Sequence, residues 1–537
     1  MNGPFHAKAG RKWVLPALLL MSGCTVGPDF LTPKPPVADR YLQADNRSVR
    51  TDKQDYQDWW LVFNDPVLTR LIKTAYDQNL TLQAAGVRVL EARAALGVAI
   101  GELYPQTQQV GGALAYEQLS HADPTTSSPT AGPRPSFDFW RASLTAKIAW
   151  ELDFWGKFRR AVEAADSAYL ASIASYDAAL VTLLGDVAST YMGIRTLQAQ
   201  IKVARDNVVR QRKALSIARD RFKGGVATAL DVYQAENVLG STEAAIPQLT
   251  GQLQQGYNAL RLLLGMAPQS LDEMLAGSSG MPVPAREVAV GIPADLVRRR
   301  PDIRSAELRA AAQSAQVGVS EADLYPAFGL SGSFGTLGST FGSGSLDNVF
   351  SSKGITFAFG PSFQWSILNY GQITNTVRVQ DARLHGLLID YQNTVLKAQK
   401  EVEDGLATFL QSREAALALQ RSVTAARKAL DIAMLQYQVG TRDFTTVLTA
   451  ERSLFDAENN LIITSGNVSI GLVAVYRALG GGWQMRQGGD FVTPATRETM
   501  RERTNWGNLL PAGEAQPPTP GLPTPQDRGP TVRAPEW

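Results

Sequence analysis

The stretch Leu308–Pro326, "LRAAAQSAQVGVSEADLYP", ends a helical pattern on a Tyr-Pro corner, and it has a double. Residues 90–105, "LEARAALGVAIGELYP", close on Leu103-Tyr104-Pro105 in the same way. The two corners lie 221 residues apart, with Gly97 matching Gly318. Downstream, Trp150 and Gly156 match Trp365 and Gly371 at a separation of 215. The difference falls in the segment between, where a surface loop tolerates a change of length. The chain is a tandem duplication, and its elements are to be read in pairs.

After each Tyr-Pro the apolar period switches from helical to two. In "GITFAFGPSFQW", Ile355, Phe357, Phe359, Pro361, Phe363 and Trp365 alternate with small or polar residues. In "WRASLTAKIAW", Trp140, Ala142, Leu144, Ala146, Ile148 and Trp150 do the same. At about ten residues, each run is long enough to cross a bilayer as a tilted strand. Weaker partners precede them, with Val110, Gly112, Leu114 and Tyr116 in one repeat and Phe328, Leu330 and Phe334 in the other. The polar pieces between, "HADPTTSSPTAGPRPS" and "GSTFGSGSLDNVFSSK", read as surface loops. Trp140, Trp150 and Trp365 suit the interfacial aromatics of a membrane strand. An ordinary antiparallel sheet with one wet face has the same alternation. Four strands cannot close a barrel and hydrocarbon tolerates no open edge, so the membrane reading requires several chains to share one barrel.

The remaining mass is helical. From Val162 the apolar positions Tyr169, Ile173, Tyr176, Leu180, Leu183, Val187, Tyr191 and Ile194 follow a 3-4 spacing, and Tyr391, Val395, Ala398, Val402, Leu406 and Phe409 repeat it. A helix from about Lys157 to Phe222 reaches on the order of 100 Å, more than a globular domain needs. Such a stripe is a packing seam. Abundant alanine (Ala161, Ala164, Ala165 and Ala168 among others) lets helices approach on both flanks, as a curved wall requires. Each long helix then breaks at a glycine turn, Gly225 in "RFKGGVATALDVYQAE" and Gly440 in "QYQVGTRDFTTVLTAE", giving two helical hairpins whose tips share one end.

The chain has 537 residues, 44% of them hydrophobic, and a net charge of +2, with no Lys/Arg block that would grip phosphate; nucleic acid is not an expected partner. Cys24 is the only cysteine, so no intrachain disulfide forms. Before it stand Lys8, Arg11 and Lys12, an apolar run from Trp13 to Met21, and Ser22-Gly23, the layout of a secretory signal too short to span. The ending "LMSGC" resembles a lipoprotein box, with Met21 where leucine is usual, and makes Cys24 the expected lipidation site; a plain secretory signal is the alternative. Thr25 in place of an inner-membrane retention aspartate favours delivery to the outer membrane. No cofactor besides that covalent lipid is expected, and no metal. Of three histidines, His6 lies in the signal, His121 in a loop and His385 on a helix, and none joins a catalytic constellation.

These residues together resemble the TolC-type outer-membrane factors, in the lipoprotein branch that includes OprM- and NodT-like efflux proteins. The likeness runs from Cys24 to about Trp483 through "CTVGPDF", "WWLVFNDPVLTRLI", "IPADLVRRRPDIRSAE", both Leu-Tyr-Pro corners, "WELDFWGK", both tips and "YRALGGGW". It implies a mixed α and β membrane protein whose tandem-repeat protomers assemble as a homotrimer. A twelve-stranded outer-membrane β-barrel is continued by a long periplasmic α-helical barrel. The implied role is the exit channel of a tripartite efflux system, passive, with a periplasmic membrane-fusion adaptor and an inner-membrane pump of the resistance-nodulation-division type as partners. Protein secretion, metal export and a non-conducting envelope-bridging lipoprotein are the alternatives.

On this likeness the chain divides into a signal peptide (1–23), an N-terminal segment with equatorial helices and the first helix of repeat 1 (24–105), and β-hairpin 1 (106–150). Helical hairpin 1 and a linker (151–290), the first helix of repeat 2 (291–326), β-hairpin 2 (327–366) and helical hairpin 2 (367–483) follow. The Pro-, Gly- and Thr-rich tail (484–537) is expected to be disordered. The resemblance also places Asp231, Tyr437 and Arg442 on gate positions. It implies a lock in which Asp231 meets Tyr437 by a hydrogen bond and Arg442 by charge, within or between protomers. Thr446 and Thr449 stand where relatives often carry an acidic ring, Leu230 stands where a hydroxyl partner can occur, and Asp443 is the remaining source of negative charge nearby.

Overall fold

Three pairs of helices carry the duplication into three dimensions. In the computed structural model, which describes residues 25–52, 56–119, 138–278, 280–282 and 287–510, helix α1 spans Pro66–Gln78 and α2 Leu80–Gly101. Strands β1 (Thr107–Gln118) and β2 (Asp138–Leu152) lead into α3 (Lys157–Lys223) and α4 (Ala229–Leu263). Repeat 2 runs through α5 (Pro301–Ala322), β3 (Ala327–Ser339), β4 (Ile355–Gln364), α6 (Gln372–Gln438) and α7 (Phe444–Ala478). Helices α2 and α5 are both 22 residues long, α3 and α6 both 67, and α4 and α7 both 35, so the offsets of 221 and 215 seen in the sequence are those of the helices themselves.

The four long strands form one antiparallel sheet in the order β1-β2-β3-β4. Its register puts Val110 opposite Ala146, Ala146 opposite Phe334, and Phe334 opposite Phe357. Directly opposed residues share a face, so the apolar sets of all four strands fall on one side. Arg141, Ser143, Lys147, Ser331, Ser333 and Ser362 fall on the other, where Arg141 pairs with Glu117 at 3.2 Å. An ordinary half-wet sheet buries its apolar face against a core. Here that face is bare, with Leu144 54% exposed, Phe357 74% and Phe363 73%. This is the lipid-out, polar-in pattern of a barrel wall, and the outer edges of β1 and β4 have no partner strand among the described residues. The first interstrand loop, with His121, lies outside the described residues, as does Cys24.

The corners that open each sheet segment are held identically. Trp150 Nε1 donates to Leu103 O at 3.1 Å, and Trp365 Nε1 to Leu324 O at 3.0 Å. The main core lies where α1, α3, α6 and α7 meet, around Trp59, Trp60, Tyr191, Tyr391 and Phe409. Within it Asp65, from "WWLVFNDP", caps α1 through Val67 N at 2.8 Å and accepts from Tyr191 Oη at 2.7 Å, which ties α1 to α3. Arg300, from "RRRPDIRSAE", donates to Ala478 O at 2.9 Å and Glu401 at 2.7 Å, joining the start of α5 to the end of α7 and to α6.

The expectation of a disordered tail from residue 484 is corrected over 484–510. Arg486, 1% exposed, makes a two-point ion pair with Asp177 on α3 at 2.6 and 3.1 Å and lies 4.7 Å from the Phe491 ring. Helix α8 (Pro494–Arg503) follows, and Met500 and Leu510 pack with Leu90 of α2. Gly86 admits this segment, since a Cβ there would collide with Phe491 O. Composition mistakes the segment because its order rests on long-range contacts, the Arg486–Asp177 ion pair and the packing on α2, and not on local apolar periodicity. Asp177→Ala, which leaves Arg486 buried without its partner, is expected to cost about 3–5 kcal/mol; limited proteolysis with mass analysis should then show cleavage between 484 and 510 before any other described segment.

Candidate functional site

At the far end from the sheet, the hairpin tips close around a second apolar core that includes Ala218, Val238, Tyr437, Phe444 and Val447. Both turns are Schellman motifs. Gly225 and Gly440 have φ of 70° and 79°. Val226 N donates to Arg221 O at 3.0 Å with Gly225 N to Phe222 O at 3.0 Å, and Thr441 N donates to Gln436 O at 2.9 Å with Gly440 N to Tyr437 O at 3.0 Å. The left-handed residue ends the helix and satisfies its last carbonyls, which is why glycine recurs at both tips.

Tyr437 is only 2% exposed and its ring tilts against Phe444 at 5.0 Å. Its hydroxyl lies 3.5 Å from Asp231 Oδ2, whose other oxygen accepts from Thr228 Oγ1 at 3.1 Å. Arg221 stands over the Tyr437 ring at 4.8 Å and donates to Gln438 O at 2.7 Å. Burial, with the Asp231 charge adding to it, pushes the Tyr437 phenol up, while Arg221 opposes; the hydroxyl is therefore a proton donor at neutral pH. Of the expected lock, the structure brings Asp231 and Tyr437 together. Arg442 is exposed, with no hydrogen bond or ion pair to it among the described residues of the protomer, and Arg221 takes the cationic place beside Tyr437. Arg221 opens the quoted first tip, but its target is on the other hairpin, so no local pattern marks it.

The threonines are engaged locally. Thr446 N and Oγ1 donate to Asp443 Oδ1 at 3.2 and 2.9 Å, so Asp443 serves as the N-cap of α7, and Thr449 Oγ1 donates to Thr445 O at 2.9 Å. Leu230 is exposed.

Above the tips, buried charge links the hairpins. Glu458 on α7 accepts from Asn207 at 3.2 Å and Arg210 at 2.7 Å on α3, and from Arg427 at 2.8 Å on α6. Two helical turns below it, Glu451 is 3% exposed, and its Oε1 has no hydrogen-bond partner. Burial pushes its carboxyl up to about 7, against the opposing charge of Arg210.

Placed in series, a sheet with a bare apolar face and paired helices of about 100 Å ending in pinned tips define a channel protein that crosses one membrane and projects far beyond it. The comparisons identify it further. The outer membrane efflux protein family model matches residues 71–266 and 292–481, and the chain belongs to that family. It is 31% identical over 438 residues to a nodulation protein T of Rhizobium leguminosarum bv. trifolii, covering 81% of this chain and 90% of that protein. It is 30% identical over 475 residues to the toluene efflux pump outer membrane protein TtgF of Pseudomonas putida, covering 86% and 95%. Among solved structures, the outer-membrane channel OprN superposes with a TM-score of 0.78 at 30% identity, covering 86% of this chain and all of that one. The fold class is thus a tandem-repeat protomer giving a trimeric, twelve-stranded outer-membrane barrel continued by a periplasmic helical barrel, and the protein is an outer-membrane efflux channel.

The buried carboxyl makes stability depend on pH. With its folded value raised, Glu451 stabilises the native state fully below the unfolded carboxylate range, near 4.5, and this contribution is lost as pH rises through about 7. The thermal stability of wild type should therefore fall between about pH 4.5 and 7, and Glu451→Gln should flatten that slope and stabilise the protein at pH 8 by roughly 2–3 kcal/mol.

Proposed function

We propose that this channel is the exit duct of a tripartite pump, receiving small organic molecules from a periplasmic adaptor and an inner-membrane pump of the resistance-nodulation-division type. Transport through it is passive, since the chain is a conduit and the energy enters at the inner membrane. The observation that carries this reading is the latch at the tips. Tyr437 and Asp231 join the two hairpins by one long hydrogen bond of 3.5 Å, with Arg221 as a further contact. Partly exposed polar links of this kind are worth about 0–1 kcal/mol each, which suits a closure that a docking partner undoes. Arg442, exposed beside the second tip, is free to pair with a neighbouring protomer.

The toluene-pump relative is the ground for proposing hydrophobic organic cargo.

Lipidation of Cys24 fits the same picture. The first described residues lie at the junction of β2 and α3, where Val26 N donates to Trp155 O at 3.0 Å and Thr25 packs on Gly156, whose absent Cβ would stand 2.8 Å from Thr25 Cγ2. A lipid on the preceding residue enters the bilayer beside the barrel wall and adds to its anchoring.

Single-channel recording in planar bilayers tests the reading. Wild type is expected to show brief, small openings, and Asp231→Ala with Tyr437→Phe to raise open probability several-fold. Arg442→Ala alone raises it only if the arginine bridges protomers. Absence of conductance from every variant after verified insertion would instead favour a non-conducting envelope bridge.

A further inference from the structure

Where both repeats have a neighbour within the chain, their contacts coincide. The tryptophan bonds to Leu103 and Leu324 match closely, at 3.1 and 3.0 Å, and α3 and α6 both start on a left-handed glycine, Gly156 with φ 79° and Gly371 with φ 81°. The correspondence stops where repeat 1 leans on repeat 2, because repeat 2 has no third repeat to lean on. Trp155, directly before Gly156, stacks on Tyr325 with ring centroids 4.6 Å and planes 25° apart, and its Nε1 donates to Pro326 O at 2.9 Å.

The residue in the same place in repeat 2, directly before Gly371, is Tyr370. It is 98% exposed, and its φ of 50° makes it one of two non-glycine residues in the left-handed region among the described residues. The turn itself is closed by Asn369, which accepts from Gly371 N at 3.1 Å and from Gln372 N at 2.9 Å, and it holds the Tyr370 ring out into solvent. A second asymmetry lies on the same side. A Cβ on Gly318 of α5 would stand 3.1 Å from Arg160 Cγ of α3, whereas at Gly97 of α2, its counterpart, nothing lies within 4 Å. The third is the pair of unpartnered strand edges, β1 and β4.

We propose that Tyr370 of each copy stacks on the partner subunit's Tyr104, which repeats between copies the contact that Trp155 makes with Tyr325 within one. The inference rests on the trimeric barrel and names the contact that aligns neighbouring protomers at the junction of sheet and helices. The occupant is a second copy because the missing surface is one this chain itself carries: the partner subunit's Tyr104 belongs to the same Leu-Tyr-Pro corner as Tyr325.

The ladders set the strand register across the same seam. Within the hairpins Ile148 faces Gln108 and Phe363 faces Phe328, so β1 and β3 correspond at an offset of 220, one less than their corners. Between β2 and β3, Ile148 faces Gly332 and Ala146 faces Phe334. Carried to the open edges, Phe363 faces the partner subunit's Gly112, and Pro361 faces the partner subunit's Leu114. This register continues the apolar face from one copy to the next, as a lipid-facing wall requires, whereas a slip of one residue would turn it inward. Helix α6 near Asn375 covers the partner subunit's Gly97, as α3 at Arg160 covers Gly318.

The test is cysteine cross-linking of the full chain in outer-membrane preparations, with wild type, which keeps Cys24, as background. Tyr370→Cys with Tyr104→Cys, treated with a short bis-maleimide, is expected to give covalent dimers and trimers on denaturing gels at least tenfold above either single variant. The single variants place three like residues around the ring and should not link. Phe363→Cys with Gly112→Cys tests the register independently, if the first pair fails to assemble. A trimer that light scattering shows intact, with neither pair linking, overturns the proposal and leaves Tyr370 facing lipid. Wild-type conductance is measured separately, so failure of this contact is distinguishable from failure of the duct reading.

Discussion

A sheet placed in hydrocarbon must have every backbone N–H and C=O paired, because no water is present to take them, and this one requirement organises the molecule. Among the described residues, one protomer supplies a sheet of four strands whose apolar face is bare and whose edges are unpaired. Such a sheet is stable only as an arc of a closed wall. The long helices inherit the arc: each follows a strand across a glycine corner, so a ring of strands becomes a ring of helices, and the tunnel continues the pore. The main core sits where these helices meet α1, away from the sheet, because within the bilayer there is no hydrophobic drive to bury an apolar face.

Duplication gives two chemically similar halves, and function resides where they differ. Glu236 and Glu451 occupy the same place in their repeats. Glu236 lies partly exposed and pairs with Arg219 at 2.6 Å. Repeat 2 has Met434 where repeat 1 has Arg219, and Glu451 is buried in the tip core without that arginine. Asp231 and Thr446 likewise correspond, but the first reaches across to Tyr437 while the second serves a helix cap. Closure at the tips thus comes from unequal hairpins meeting. Two identical hairpins would present no complementary pair of this kind.

Local pattern made the repeats, the strands, the long helices and the glycine turns legible, because each depends on residues close in sequence: a period of two or 3.6, a left-handed turn, a Tyr-Pro stop. The tips were legible as a site because a break in two otherwise continuous helices at matched positions is itself unusual. Arg221 was not, since its partners Tyr437 and Gln438 lie on the other hairpin and an arginine near a helix end has an ordinary local reason to be there. The 484–510 segment escaped for the same reason, its order depending on Asp177 and Leu90, which are remote in the chain.

By itself, then, the sequence determined the duplicated architecture and the membrane-crossing strands, whose side-chain alternation follows from backbone geometry alone. Tertiary structure decided which charges are buried, which meet, and which face is left bare. These outcomes depend on the relative placement of helices brought together over hundreds of residues, where burial and pairing, and not residue type, set whether a carboxylate is a latch, a cap or a buried acid.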